Sequence, residues 1–509
     1  MHGMKYRTRR MCAIAASAMF STMAICHQTS ATWLFPNPVP VERLVENLTA
    51  YASENPNDAI GWYALGRVHS MAYIVGTTTL GAGYDRDNDG LEPEEILSDE
   101  SDSSYGVKIM GAGRSKSLEP SLRLRHLASG IRTLEHAIGL GFDGDKKRFN
   151  EAASRLSVAH LIEKGIDDTT IVTVMPDIAV NSKDEARIAQ LMSRFEDIDH
   201  LNYDLNNPNA LWTAQRHILD EIKEAGALGI VALARSYEAS RGRARSLARG
   251  ELLAYWRTVA ATRYFEAFKL GSEPTFLLPF GEDGGQHYQE LIAWEAGTSF
   301  LRLNLERDEL PAIDEMETEI RATLKRLAAT GWKRAWVTPI LFSFEQQGGL
   351  GELLAPNVFV SFDLDGTGRK QRWPWVKPDT AILVWDPDRT GRITSGRQLF
   401  GSVTWWLFFP DGYRALDALD DNRDGELAGA ELAGLAIWMD ANSNGVSDPG
   451  EVTAIEDTPI AGIETAAITT DGVSPANPIG LRLKHGRRLP TYDWVVREAS
   501  PIDEETRED

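Results

Sequence analysis

The sequence predicts an α+β fold, in which a mainly helical N-terminal region precedes a small mixed module near the C-terminus. Three observations support this prediction. Apolar residues recur at helical spacing up to Gly331, whereas beyond Trp332 they form short runs rich in β-branched and aromatic residues. Two aspartate-rich loops then stand in tandem between Asp420 and Glu451. The chain has 509 residues, of which 43% are hydrophobic, so it is long enough for several domains with real cores.

The first 31 residues have the pattern of an export signal, with a basic start, an apolar run over Met11–Cys26 and a small-residue cleavage site. The basic residues are Lys5, Arg7, Arg9 and Arg10, and the cleavage site is offered by Thr29, Ser30 and Ala31. We therefore expect an exported protein, periplasmic or secreted, whose mature chain begins near Thr32. An uncleaved anchor is the alternative. No later stretch has about 20 uninterrupted apolar residues, so we expect no membrane span after cleavage.

Cysteine usage and charge narrow the class of protein. Both cysteines, Cys12 and Cys26, lie in the signal segment, so the mature chain would contain no disulfide and would depend on its core or on bound metal. The net charge of −21 argues against nucleic-acid binding, because phosphates would be repelled, and it suits cation binding.

The segment 32–180 is expected to form a helical region that binds a protein partner. Its residues Trp62, Leu65, Gly66 and His69 follow the spacing W-x2-L-G-x2-[YH], so this stretch resembles one helix of a tetratricopeptide repeat. The small-large-small spacing of a second helix comes only at Gly130, Leu134 and Ala137. We therefore predict a tetratricopeptide-like hairpin with an insertion at its turn. Ordinary amphipathic helices that mimic the motif are the alternative.

The insertion, residues 76–117, is rich in Gly, Ser and Asp. With few large apolar residues it is predicted to be a mobile surface loop on which the hairpin does not depend. It contains the opening of a calcium loop at Asp85, Asp87 and Asp89, but position twelve is Ile96. These three aspartates are weaker metal candidates.

Residues 181–331 are predicted to form a helical domain. The predicted helices are Ala186–Phe195, Leu211–Ala225, Leu252–Leu270, Tyr288–Leu305 and Ile313–Ala329. Aromatic residues at helical spacing are expected to be core rather than a ligand box, namely Trp256, Tyr264, Phe265 and Phe268. The basic cluster of Arg241, Arg243, Arg245 and Arg249 is expected to be a solvated helix face.

Residues 332–495 are predicted to form the mixed module, and 496–509 an acidic tail. Strands are expected at 336–344, 358–362 and 381–385. The tandem loops follow the pattern D-x-[DN]-x-[DN]-G with a glutamate at position twelve, which supplies the six to eight oxygens that Ca²⁺ needs. The expected ligands of the first loop are Asp420, Asn422, Asp424, the carbonyl of Glu426, and Glu431. Those of the second are Asp440, Asn442, Asn444, the carbonyl of Val446, Asp448 through a water, and Glu451.

The glycines at position six, Gly425 and Gly445, permit the sharp turn because glycine tolerates positive φ. Solvated acidic turns are the alternative interpretation. The carboxylate count predicts tighter calcium binding in the first loop than in the second.

Four phrases carry a family resemblance, and they occur in the order VSFDLDGTG, VWDPDRTGRITSGRQLFG, GYRALDALDDNRDG and IWMDANSNGVSDPGEV. The segment Val360–Ile463 resembles the EF-hand-like calcium-binding segment of secreted bacterial proteins, including toxin-repeat adhesins. The resemblance implies two further loops, at Asp363 with Asp365 and at Asp386 with Asp388. Thr367 and Thr390 occupy their fifth positions and Gln398 replaces a usual glutamate, so these are weaker metal candidates of structural character.

Only eight residues, Leu432 to Met439, separate the tandem loops. We expect one shared helix there, with the two sites at its opposite ends and no pairing between Leu427 and Ser447 at position eight. This arrangement favours a structural rather than a sensory role for calcium.

No motif for a zinc protease, a nucleophile elbow, a P-loop or a dinucleotide site occurs, so no catalytic residue is assigned. The leading hypothesis is an exported, non-enzymatic calcium-binding protein. The alternative is a secreted hydrolase of carbohydrate or envelope polymer whose calcium module only stabilises it. A pocket of convergent carboxylates or histidines in the helical domain would favour the hydrolase.

Overall fold

The structure is a computed structural model that describes residues 38–81, 103–104, 107–108, 116–143, 147–167, 181–200, 209–272, 282–303, 305, 310, 312–330, 336–345 and 348–499. The predicted signal segment and the aspartates Asp85, Asp87 and Asp89 lie outside these residues. Within them, no helix is both long and apolar enough to cross a membrane.

The described chain is α+β, with a helical region followed by a β-rich region. Its helices are α1 Val41–Glu54, α2 Ala59–Val75, α3 Pro120–Leu140, α4 Lys147–Asp167, α5 Ser182–His200, α6 Asn209–Ala225, α7 Ala227–Ala239, α8 Gly242–Ser272, α9 Glu282–Leu303, α10 Ile313–Thr330 and α11 Gly412–Asp417. The five helices predicted from 186 to 329 correspond to α5, α6, α8, α9 and α10, so periodicity located them correctly.

Helices α2 and α3 pack against each other in close contact at two glycines. A Cβ at Gly66 would lie 2.6 Å from Leu134 Cγ, and one at Gly130 would lie 3.4 Å from His69 Cβ. Trp62 contributes an edge contact with His136, with ring centroids 4.7 Å apart. The motif residues of the predicted hairpin therefore pack directly on each other.

The insertion is closed at its base by backbone hydrogen bonds. Helix α2 ends at Gly76, which has φ 71° and is left-handed. The amide of Thr78 donates to Lys116 O at 3.0 Å, and that of Leu118 donates to Gly76 O at 2.8 Å. The two ends of the insertion thus meet where α2 ends and α3 is about to begin.

Among the residues that the structure describes, the buried apolar side chains form two clusters. The smaller comes from α5, α6, α7 and the first part of α8. The larger joins α1 to α4, the rest of α8, α9 and α10 with the β-rich region. Trp256, Tyr264 and Phe268 are buried in the larger cluster and Phe265 is half-buried against it, which confirms that this aromatic stripe packs in the core. The boundary predicted near 331 therefore falls inside one shared core.

The β-rich region is built on a nine-stranded antiparallel sheet of order β10-β13-β15-β16-β6-β9-β11-β12, with β14 paired to β15. Short pairs lie beside it, β1 with β2, β3 with β4, β5 with β17, and β7 with β8. The strands are β1 Val39–Pro40, β2 Thr79–Leu80, β3 Ser103–Ser104, β4 Val107–Lys108, β5 Trp336–Val337, β6 Ile340–Phe342, β7 Leu354–Phe362, β8 Gln371–Val376, β9 Ala381–Trp385, β10 Glu426–Ala428, β11 Leu435–Trp438, β12 Val452–Ala454, β13 Ile460–Glu464, β14 Thr469–Asp471, β15 Ser474–Leu483, β16 Arg488–Asp493 and β17 Val496–Arg497. Because β17 pairs with β5, ordered structure continues beyond the module boundary drawn at 495.

The shared helix predicted between the tandem loops is wrong, because Leu435–Trp438 is strand β11. All four of its side chains are buried, and it pairs with β9 on one side and β12 on the other. Gly434, with φ 91°, breaks any helix from the preceding turn. A short, wholly apolar run is ambiguous between helix and strand until its neighbours are known.

Candidate calcium loops

Four loops in the β-rich region share one backbone arrangement. We name them loop A (363–374), loop B (386–397), loop C (420–431) and loop D (440–451). In each, the aspartate at position one accepts a hydrogen bond from the amide of the glycine at position six. The pairs are Asp363 with Gly368 at 2.9 Å, Asp386 with Gly391 at 2.8 Å, Asp420 with Gly425 at 2.9 Å, and Asp440 with Gly445 at 2.7 Å. The same short sequence pattern has therefore produced the same turn four times.

The four loops also repeat two left-handed backbone positions. At position six φ is positive for Gly368, Gly391, Gly425 and Gly445. At position four φ is positive for Gly366, Arg389, Arg423 and Ser443. Three of these position-four residues carry a Cβ, which makes the conformation costly, so contacts elsewhere in each loop must hold it.

Loop C leaves one buried carboxylate oxygen without a protein donor. Asp420 is 1% exposed, its Oδ2 accepts from Gly425, and its Oδ1 has no hydrogen-bond partner among the described residues. A buried, unpaired acceptor is costly unless another group satisfies it. An oxygen of this kind is suited to a hard cation.

The other predicted ligands of loop C surround this turn. Glu431 Oε1 accepts from the amides of Asp421 and Asn422, at 3.0 and 3.2 Å, and its Oε2 accepts from Ala428 N at 3.0 Å. Asn422 is exposed, as is Asp424, whose Oδ1 accepts from Glu426 N at 3.0 Å. The glutamate at position twelve thus closes the loop through backbone donors.

In loop D the glutamate at position twelve also accepts from backbone amides, but both oxygens of the aspartate at position one already accept hydrogen bonds. Glu451 accepts from Ala441 N at 2.9 Å and from Asp448 N at 3.0 Å, the positions that correspond to those used by Glu431. Both oxygens of Asp440 are occupied, because Oδ1 accepts from Asn444 N at 3.1 Å and Oδ2 accepts from Trp375 Nε1 at 2.6 Å. The side-chain amides of Asn442 and Asn444 donate through Nδ2 to Asp448 Oδ2, at 2.8 and 3.1 Å.

In loops A and B side-chain donors reach Asp365 and Asp386, whereas Asp363 Oδ2 of loop A, like Asp420 Oδ1 of loop C, has no hydrogen-bond partner among the described residues. Asp365 accepts from Thr367 Oγ1 at 2.7 Å and from Gln371 Nε2 at 2.8 Å. Asp386 accepts from Thr390 Oγ1 at 2.9 Å. The threonines at position five, which the sequence marked as departures, therefore satisfy neighbouring aspartates. Asp388 is exposed.

A buried guanidinium accompanies loop A. Arg397 is 3% exposed, and its Nε donates to Gly366 O at 2.7 Å. Burial, and next the neighbouring Asp365 carboxylate, raise the pKa of Asp363 well above its usual range, while the positive charge of Arg397 opposes that rise. The guanidinium of Arg397 thus already places a positive charge beside the carboxylates of loop A.

Two hydrogen bonds link loop B to its neighbours, one between backbone atoms and one to a side chain. Gly396 N donates to Asp363 O at 2.7 Å, which links loop B to loop A. At position eight of loops B and D, Ile393 N donates to Ser447 Oγ at 2.8 Å. Leu427, at position eight of loop C, pairs with Ile463 in β13 instead. The prediction that Leu427 and Ser447 do not pair is confirmed.

Loops C and D end up at opposite edges of the sheet, because β10 and β12 are its terminal strands. Among the described residues, no three His, Cys, Asp or Glu side chains lie together as a ready metal-binding group. Loop C fits calcium through its free buried oxygen and its oxygen-rich donor set, which includes amide and main-chain oxygens as well as carboxylates.

A second group of ionisable residues, of which Tyr264 and Glu295 are buried and Arg302 is exposed, lies between α4, α8 and α9. Glu163 accepts from Tyr264 Oη and from Arg302 Nη2, the latter at 3.0 Å. His160 Nε2 lies 3.2 Å from Glu295 Oε1, and burial, followed by Arg302, lowers the pKa of His160 to about 3. Sequence reasoning missed this group because its members come from distant segments, with a separation of 139 residues between Glu163 and Arg302.

Two clefts of the described surface lie elsewhere. One, of about 570 Å³, is lined by β14 to β16, including Asp471, Arg487 and Tyr492. The other, of about 520 Å³, lies between α6 and α8 near Gln215 and Arg243. Neither cleft is lined by the His160 group. Neither is therefore the pocket of convergent carboxylates or histidines that would favour a hydrolase.

Comparison with known proteins places a family match over the four loops. Residues 346–482 match the model of the SPM domain. A stretch of 110 residues is 34% identical to the iron-regulated protein FrpA of Neisseria meningitidis serogroup C. It covers 21% of this chain and 10% of FrpA, so the chain matches only a small part of that relative's length.

Proposed function

We propose that the β-rich region is a calcium-binding module in which calcium has a structural role. The observation that carries this proposal is the repeated turn of loops A to D, together with the free, buried Oδ1 of Asp420. Calcium would satisfy that oxygen and offset the repulsion among the carboxylates of loop C. The resemblance of this segment to the EF-hand-like segment of secreted bacterial proteins supports the same proposal.

The residues that would hold calcium are those of loop C first and loop D second. In loop C these are Asp420, Asn422, Asp424, the Glu426 carbonyl and Glu431. In loop D they are Asp440, Asn442, Asn444, the Val446 carbonyl, Asp448 and Glu451. The occupied oxygens of Asp440 favour weaker binding by loop D. A structural role suits loops that are continuous with the strands of one sheet, since such flanks have no helix pair to open.

Calcium titration of the full chain tests this proposal. We expect calorimetry to detect binding, and Asp420→Asn, which keeps the side-chain shape but removes the charge, to weaken the tightest site. Asp388→Asn, an exposed aspartate of loop B, is the matched control and should leave that site unchanged. The melting temperature should rise with calcium, since a ligand at 100 times its dissociation constant adds about 2.7 kcal/mol. Identical melting curves in chelator and in millimolar calcium would refute the proposal.

We propose further that the chain is exported and that its helical region binds a protein partner. Residues 1–31 support export through their basic, apolar and small-residue pattern. Outside that helical region, in the helical domain of residues 181–331, the surface of α6 offers a candidate partner site, because Trp212 is 59% exposed beside Arg216, whose Cζ lies 5.3 Å from the indole centroid. Exposed Trp and Arg are typical anchors of interfaces. N-terminal sequencing of the exported protein, and loss of partner binding in Trp212→Ala, test the two proposals.

The tetratricopeptide-like interpretation of the hairpin is part of this proposal. It is supported by the direct packing of Gly66 on Leu134 and of His69 on Gly130. One hairpin cannot bury its own face, and here α1, α4 and the β-rich region cover it.

A further inference from the structure

One face of helix α1 contacts loop C through hydrogen bonds and ion pairs. The face consists of Arg43, Asn47, Tyr51 and Glu54, whose spacing of four, four and three residues aligns them along the helix. Every one of these side chains reaches loop C or the residues just before it. They come from a part of the chain that is more than 360 residues away in sequence.

Arg43 joins the two ends of loop C. Its Nη2 donates to Leu419 O, immediately before position one, at 2.7 Å. The same nitrogen donates to Glu431 O, at position twelve, at 3.3 Å. Its Nε donates to Asp421 Oδ1 at 2.8 Å. One guanidinium therefore ties the start and the finish of the loop together, which is also what a bound calcium ion does.

Asn47 and Tyr51 continue this contact along the helix. Asn47 is buried, and its Nδ2 donates to Ala418 O at 3.1 Å and to Asp421 Oδ1 at 2.8 Å. The ring of Tyr51 lies under two guanidinium groups, with its centroid 3.6 Å from Arg414 Cζ and 5.3 Å from Arg423 Cζ. These contacts fix the residues that lead into loop C.

The strained position four of loop C is held as well. Arg423 has φ 61°, its Nη1 lies 2.8 Å from Asp417 Oδ1, and its Nη2 lies 3.4 Å from Glu54 Oε2. Asp421, at position two, points toward α1, and its amide donates to Glu431 Oε1. Helix α1 thus holds atoms of loop C other than the proposed ligand oxygens, and leaves Asp420 Oδ1 free.

We infer that α1 is a clasp that sets the calcium affinity of loop C, and that calcium in turn holds α1 in place. A loop whose ends are already joined loses less conformational freedom when it binds an ion, so the docked helix favours binding. Coupling of two binding events is reciprocal, so calcium favours the docked helix to the same degree. This inference rests on the calcium-binding function proposed for loop C.

The test measures loop C alone, in a full-length chain that carries Glu451→Gln to weaken loop D. Arg43→Gln removes the three contacts of the guanidinium, and calcium titration should then give roughly tenfold weaker binding. Two controls keep the clasp intact. Thr49→Ala changes the exposed side of the same helix, and Arg241→Gln removes one exposed guanidinium just before α8 begins. Both should bind calcium within about twofold of the parent.

The reciprocal effect is measured by hydrogen exchange of the amides in α1. Calcium should slow exchange across α1 in the parent, and should leave it unchanged when Asp420→Asn is added. If Arg43→Gln unfolds, as judged by circular dichroism, Asn47→Ser removes two weaker contacts and should reduce affinity in the same direction.

The outcomes separate the inference from the function on which it rests. If the parent binds no calcium, no titration shows binding, and both the proposed function and the clasp are refuted. If the parent binds calcium but Arg43→Gln and Asn47→Ser bind it as tightly, and exchange of α1 does not respond to calcium, the clasp alone is refuted.

Discussion

The glycines at position six of loops C and D allow one substitution to be compared in two settings. Gly425 has φ 88° and Gly445 has φ 73°. A Cβ at Gly425 would meet nothing within 4 Å, whereas one at Gly445 would lie 2.7 Å from Val360 Cβ. Val360 is buried, so it has no room to move away. Alanine at the two positions therefore differs mainly in packing.

The expected effects follow from these geometries. Left-handed alanine costs about 1–2 kcal/mol, and the reduced freedom of the unfolded chain returns roughly 0.4–1 kcal/mol. Gly425→Ala should thus lower the free energy of unfolding by roughly 0–1.6 kcal/mol. Gly445→Ala carries the same strain and adds overpacking of about 1–3 kcal/mol.

The assay is urea unfolding in excess chelator, so that calcium affinity does not enter the comparison. Tryptophan fluorescence reports on this part of the fold, because Trp375 and Trp438 pack together with ring centroids 5.5 Å apart beside loop D. Equal losses in both variants, or a larger loss for Gly425→Ala, would show that loop D does not pack on β7 as described.

Three further predictions concern calcium, the insertion and pH. Glu431→Gln should cost more calcium affinity than Glu451→Gln in calorimetric titration, because loop C has the free buried oxygen; the reverse ranking would count against the ligand assignment. Replacing residues 82–115 by a short Gly-Ser linker should leave the helical circular dichroism unchanged, because the base of the insertion closes on itself; loss of the helical fold would contradict this. Burial, then His126, lowers the pKa of His69 to about 4, below the unfolded value, so stability should fall as pH drops from about 6.5 to 4. His69→Leu should make that fall shallower, and an unchanged slope in acid unfolding curves would exclude His69 as a cause.

Local sequence determined much of the architecture. Helical periodicity placed Ile313–Ala329 where α10 runs from Ile313 to Thr330, and an apolar run placed β9 at its observed bounds. The glycine and aspartate positions of loops C and D predicted their turns. These features depend on residues within about ten positions of each other, where spacing and backbone preference act directly.

Tertiary structure decided what those elements do together. The segment between the tandem loops is a strand because β9 and β12 pair with it, and its own residues do not distinguish strand from helix. Arg43 and Asn47 meet loop C only after the larger core brings α1 against the β-rich region, across a separation of 378 residues for Arg43 and Asp421. Contacts between distant segments are set by the packing of a shared core, and no local pattern encodes which surfaces that packing will bring together.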